Sequence, residues 1–115
     1  MTKVFKGIVT CGDEYRVAPY GQSGSVWIGG VDVLERLDCL SGQTVIVGWM
    51  DQAFDGELFV MTGWGYSEYT PMDADAMRVG PHNLLTMLSE QEGKEVTLVV
   101  STEPINLLDL PEPER

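Results

Sequence analysis

The chain of 115 residues predicts a mainly β domain: a β-barrel with two short helices, built from two internally duplicated ββαβ units. Three observations carry this expectation. The stretches "GVDVLERLDCLSGQTVIVGW" and "GPHNLLTMLSEQEGKEVTLVV" each start at Gly, run through apolar residues at helical spacing, meet a second Gly and leave as an alternating strand. Each is preceded by a strand-like run and a polar loop. The apolar fraction of 43% is large enough for a core without disulfide or metal staples.

The elements follow in order. "FKGIVT" is rich in apolar and β-branched residues and reads as the first strand. "VWIGG" is a short strand running into a helix, on which Val31, Leu34, Leu37 and Leu40 fall one turn apart. Gly42 stands where a helix end wants a residue tolerant of positive φ, and Val45 and Val47 then alternate along a strand. The second half repeats this: "LFVMT", "MRVGP", Leu84, Leu85 and Leu88 on a helix, Gly93, then Val96, Leu98 and Val100. The helix–Gly–strand parts align at an offset of 51. Upstream the alignment is read at 52, pairing Thr10 with Thr62, Pro19 with Pro71 and Ser25 with Met77.

One domain is therefore expected over residues 1–102, with halves at about 3–50 and 55–101, followed by an acidic, proline-rich tail at 103–115. Neither half buries its apolar face alone. Interleaved about a pseudo-two-fold axis they would close a six-stranded barrel and remove exposed edges. The alternative is an α+β sheet with two helices on one face. In the tail, "INLLDL" is apolar enough to dock on the domain, with the last few residues disordered.

The two runs "VWIGGVDVLERLDCLSGQTVIV" and "MRVGPHNLLTMLSEQEGKEVTLVV" give the chain, up to about Ser101, a pattern that resembles the double-psi and swapped-hairpin β-barrels. That group often has Pro before the helix and Gly-Asp before the last strand; here stand Gly29-Gly30, Gly42-Gln43 and Gly93-Lys94. The resemblance implies two activities to weigh. In pyruvoyl-dependent aspartate decarboxylase a Gly-Ser bond cleaves itself, and Gly24-Ser25 looks like that position. The family's lysine on the first strand, its arginine and its Thr-Tyr pair find no match in Ile8–Cys11 or in "GELFVMTG". The swapped-hairpin DNA binders present basic loops, which this chain lacks.

Charge narrows the function classes. There are 18 acidic against 7 basic residues, a net charge of −11. Phosphate contacts and anionic membranes both need lysine and arginine, so neither direct nucleic-acid binding nor membrane docking is expected. A partner with a basic surface suits this charge. No apolar run approaches the length of a membrane span, and the start "MTKVFKGIVT" has no long apolar core of a signal peptide, so a cytoplasmic location is expected. Cys11 and Cys39 make no disulfide framework and read as reduced, small core hydrophobes.

Catalytic signatures are missing. His82 is the single imidazole and falls at the start of the second helix, where a surface role is expected. A zinc site would need every soft ligand the chain has, and Asp73 with Asp75 lacks the calcium-loop pattern. "GQSGSVWIGG" is not a phosphate-binding loop. No catalytic residue, metal or cofactor is assigned.

The surface offers more. No Lys or Arg occurs between Arg36 and Arg78, and six of the ten aromatics lie between Trp49 and Tyr69. Trp49, and Phe59 alternating with Met61, are expected in the core. Trp64, Tyr66 and Tyr69 stand among Gly, Ser and acids, where a loop would display them. The candidate partner-binding set is Asp55, Glu57, Trp64, Tyr66, Glu68, Tyr69, Asp73 and Asp75. The expected function is a non-enzymatic acidic interaction protein that binds a basic protein surface, such as the groove of a nucleic-acid-binding protein. Its size and charge are similar to those of phage and mobile-element inhibitors, nucleic-acid mimics and anti-defence proteins. The alternative is a small enzyme or ligand-binding barrel, and the oligomeric state is left open between monomer and homodimer.

Overall fold

The computed structural model describes residues 1–11, 26–61 and 76–115 in full, and the backbone of 16–18, 21–23, 64–66 and 71–73. The first half contains β1 (Thr2–Cys11), a hairpin of β2 (Arg16–Ala18) and β3 (Gly21–Ser23), β4 (Val26–Ile28), β5 (Val31–Asp32), helix α1 (Val33–Leu37), a 3-10 turn (Asp38–Leu40) and β6 (Thr44–Trp49). The second half contains β7 (Gln52–Met61), a hairpin of β8 (Trp64–Tyr66) and β9 (Pro71–Asp73), β10 (Ala76–Val79), β11 (His82–Asn83), helix α2 (Leu84–Ser89) and β12 (Glu95–Ser101). The protein is mainly β, with two short helices.

Eight strands form one antiparallel sheet in the order β11-β10-β7-β6-β12-β1-β4-β5. The order reads the same from either end when each strand is exchanged for its counterpart in the other half. The duplication is therefore visible in the topology. Where β6 meets β12, Gly48 faces Val99, Val47 faces Val100 and Trp49 faces Leu98. Gly48 and Val99 are counterparts at an offset of 51, so the pseudo-two-fold axis passes through that pair.

Two expectations change. The sheet does not close into a six-stranded barrel: β11 and β5 are its ends. Two-residue end strands leave little edge to meet each other. The upstream offset of 52 is also replaced. Gly29 N–H donates to the Ile8 carbonyl and Gly80 N–H to the Glu57 carbonyl. Gly29 and Gly80 differ by 51, whereas Ile8 and Glu57 differ by 49. Thus β1 matches β7 at 49, pairing Phe5 with Phe54, Gly7 with Gly56 and Val9 with Leu58, and everything from β4 onward matches at 51.

The halves interlock. The last strand of each half pairs with the first strand of the other, as β12 with β1 and β6 with β7. The turns after the helices do the same. Gly42 N–H donates to the Leu58 carbonyl at 2.7 Å and Gly93 N–H to the Val9 carbonyl at 2.8 Å. Both glycines have the positive φ expected of them, 89° and 84°.

Each helix starts on a side-chain cap. Asp32 accepts from the N–H of Glu35, and Asn83 from that of Thr86. Leu34, Leu37, Leu84, Leu85 and Leu88 are buried in one core with Phe5, Val9, Val45, Val47, Trp49, Leu58, Leu98 and Val100. The alternating strand residues named from the sequence point inward, and both helices cover that inner face. The other face of the central strands looks outward.

The tail does not end free. From Ser101 it turns at Asn106, whose side chain accepts from Leu108 N–H and whose carbonyl accepts from Asp109 N–H. That turn lifts Leu107 and Leu108 off the domain, 77% and 98% exposed, so "INLLDL" docks only in part. Ile105 reaches the outer side of Gly48. The chain then returns to β1, where Glu114 N–H donates to the Val4 carbonyl at 2.7 Å. The last residues are engaged rather than disordered.

Candidate functional site

Strand β7 builds the site. Leu58 and Val60 point into the core and are buried, so the alternate residues Asp55, Glu57, Phe59 and Met61 face outward. All four are exposed, Phe59 by 48% and Met61 by 41%. The placement of Phe59 and Met61 in the core is therefore corrected: neighbouring Leu58 and Val60 took the inward phase. Trp49 is buried as expected, and Phe54 is half-buried, its ring 4.3 Å from that of His82.

Register sets the neighbours of this face. Ile46 lies beside Asp55, Thr44 beside Glu57, Arg78 beside Phe59 and Ala76 beside Met61. Asp51, in the turn between β6 and β7, is exposed and continues the acidic end. The result is a strip with carboxylates at one end and two large apolar side chains at the other.

The other candidates fall in or beside the hairpin that follows. Backbone pairing sets Trp64 opposite Asp73, and Tyr66 opposite Pro71. The β8–β9 hairpin therefore brings three of the named positions into one two-stranded unit. Strand β9 lies alongside β3, so the equivalent loops of the two halves adjoin. Glu68, Tyr69 and Asp75 lie outside the described residues, as does the Gly24-Ser25 bond.

The remaining chemistry is sparse. Cys11 is partly buried against the core, and Cys39 is exposed, which corrects its expected core position. Burial first, then the neighbouring Glu92 carboxylate, pushes the Cys11 thiol from 9.0 up to about 11. His82 is exposed and belongs to β11, one residue ahead of the α2 cap. Among the described residues, no three His, Cys, Asp or Glu side chains gather as a metal site. A depression of about 450 Å³ is lined by Met50, Gln91, Lys94, Glu95, Val96 and Thr97. Its Lys94 and Glu95 form no ion pair with each other.

Sequence reading missed the outward Phe59 and Met61 and the stacking of half-buried Phe54 on exposed His82. The signal that could have found the former is Glu57: as the polar residue of the odd phase, it marks that phase as outward.

No protein-family model, no curated protein and no solved structure matches the chain.

Proposed function

We propose that this is an acidic interaction protein without catalytic activity, whose β7 face binds a basic surface on a partner protein. One observation carries the reading: Asp55, Glu57, Phe59 and Met61 stand exposed in line on one strand. Exposed carboxylates attract a cationic surface over roughly a Debye length, about 10 Å at 0.1 M salt, and speed encounter. Phe59 and Met61 supply the desolvated contact that charge alone does not. Lysine- and arginine-lined grooves are the surfaces such an acidic face attracts, so the protein would act as an inhibitor occupying a phosphate-binding groove.

The test is affinity capture from host lysate at low and high ionic strength, with wild type and with Asp55→Lys/Glu57→Lys. The expected result is a partner retained at low salt, released at high salt and lost with the charge-reversed variant. Capture indifferent to both salt and charge reversal would sink the reading.

A further inference from the structure

The duplication contains an occupied place and its open counterpart. On β1, residues Thr2–Gly7 pair with β12 on one side, while β4 begins to pair only at Val9 on the other. The tail fills that gap, Glu114 N–H meeting the Val4 carbonyl. Its side chain is held by Lys3 at 3.2 Å and Arg36 at 3.9 Å, and Arg36 also donates to the backbone oxygen of Arg115 at 2.6 Å. Val4 is buried beneath.

On β7 the same gap exists. Residues 52–57 pair with β6, and β10 pairs only from Leu58 onward. Ala53 is the counterpart of Val4: it faces Gly48 as Val4 faces Val99. In an antiparallel ladder the N–H and C=O of one residue point to the same side. Both groups of Ala53 therefore point away from β6, as the Val4 carbonyl points away from β12. Among the described residues no segment pairs with them. Ala53 is exposed, unlike its counterpart Val4 under the tail.

We propose that the β7 edge at residues 52–55 is a strand-docking site for an extended segment of a partner protein bearing lysine or arginine. This rests on the reading of the β7 face given above and names how the partner engages it. Charge chooses the occupant. The positions equivalent to Lys3 and Arg36 are Gln52 and Met87, so nothing there holds a carboxylate. Asp51, Asp55 and Glu57 are exposed around the edge. The tail of a second copy carries Glu103, Asp109, Glu112 and Glu114 against a single Arg115 and would be repelled. An extended cationic segment gains backbone hydrogen bonds from the edge and ion pairs from the acids.

The probe is a labelled hexapeptide of alternating lysine and valine, titrated by fluorescence anisotropy. Controls are the same peptide N-methylated at alternate backbone nitrogens, and a glutamate–valine peptide. Binding of the lysine peptide is expected to slow hydrogen exchange at the Ala53 amide. N-methylation should weaken it about ten-fold, the scale of a lost pair of backbone hydrogen bonds. Ala53→Pro should do the same while sparing the β6 ladder; if that variant misfolds, the N-methylated peptide on wild type decides. Equal binding of the methylated peptide overturns strand docking but leaves the charged-face reading standing. Equal binding of the glutamate peptide, or concentration-dependent self-association that protects Ala53, assigns the edge to a second copy and overturns the cationic occupant. If the lysine peptide fails to bind, strand docking is refuted, and the Asp55→Lys/Glu57→Lys capture then decides the broader reading separately.

Discussion

Replacing Gly7 by alanine should be among the most damaging single changes in this protein, and the other half supplies the control. A Cβ on Gly7 would lie 2.5 Å from Gly29 Cα and 2.8 Å from Gly29 N. Carbon atoms pack at about 3.5–4.0 Å, so the two backbones would have to part by about 1 Å. The obstacle is main chain and cannot rotate away. Overpacking of this kind costs about 1–3 kcal/mol. The φ of Gly7 is 147°, a region side chains rarely adopt, which adds about 1–3 kcal/mol. Lower unfolded-state entropy returns about 0.4–1 kcal/mol. The net expectation is about 1–5.5 kcal/mol. Gly56, its counterpart, meets Gly80 N at 2.8 Å and Gly80 Cα at 3.0 Å without the unusual φ. Gly56→Ala should therefore cost less, about 0–2.5 kcal/mol, being overpacking with the same entropy returned. Urea denaturation followed by circular dichroism measures both. A Gly7→Ala loss under about 0.5 kcal/mol, or a larger loss at Gly56, would refute the close-crossing argument.

Three further outcomes are expected. Cys39 should react with iodoacetamide near pH 8 well before Cys11, read by mass spectrometry after digestion, because burial and Glu92 keep Cys11 protonated. The folded chain holds the Cys11 proton more tightly than the unfolded one. That stabilising contribution is whole below about pH 9, shrinks as pH rises and is lost through about pH 11; Cys11→Ala should flatten the corresponding part of the stability curve. Glu114→Gln should loosen the tail at a cost of about 1 kcal/mol or less, since its Lys3 partner is a surface pair only partly shielded from water. Hydrogen exchange at the Glu114 amide should speed up in that variant, and high salt should reproduce part of the effect in wild type.

Much of the fold was legible because helices and inner strands mark their own phase. Val96 and Leu98 alternate with Glu95 and Thr97, and Leu84, Leu85 and Leu88 recur at helical spacing, so their inward direction follows from one-dimensional pattern. "LFVM" on β7 carries no such mark within itself: all four residues are apolar, and the phase shows only when the strand is extended back to Glu57 and Asp55. The offset between halves misled for a related reason. Thr10 and Thr62 match by letter, but Gly7 and Gly56 match by what they do, which is to let a second backbone pass. Open sheet ends were illegible because β5 and β11 are two residues long, below the length at which alternation exists. For the candidate surface, composition located the acids and aromatics along the chain. Their gathering into a strip on one strand needed the phase of β7.

The Met1 ammonium donates to Thr102 Oγ1 at 2.8 Å, and Thr102 N–H donates back to the Met1 carbonyl at 2.9 Å. Start and finish of the sheet thus touch, directly across the pseudo-two-fold axis from the tight turn between Trp49 and Gln52. Topologically the domain is a ring with two nearly equivalent seams, one covalent and one not. Joining Thr102 to Met1 in a chain without the tail at 103–115, and opening it at Met50–Asp51, would yield a circular permutant with the halves in reversed order and the same sheet. Only the tail, which covers the edge of β1 and leaves that of β7 open, records which half comes first.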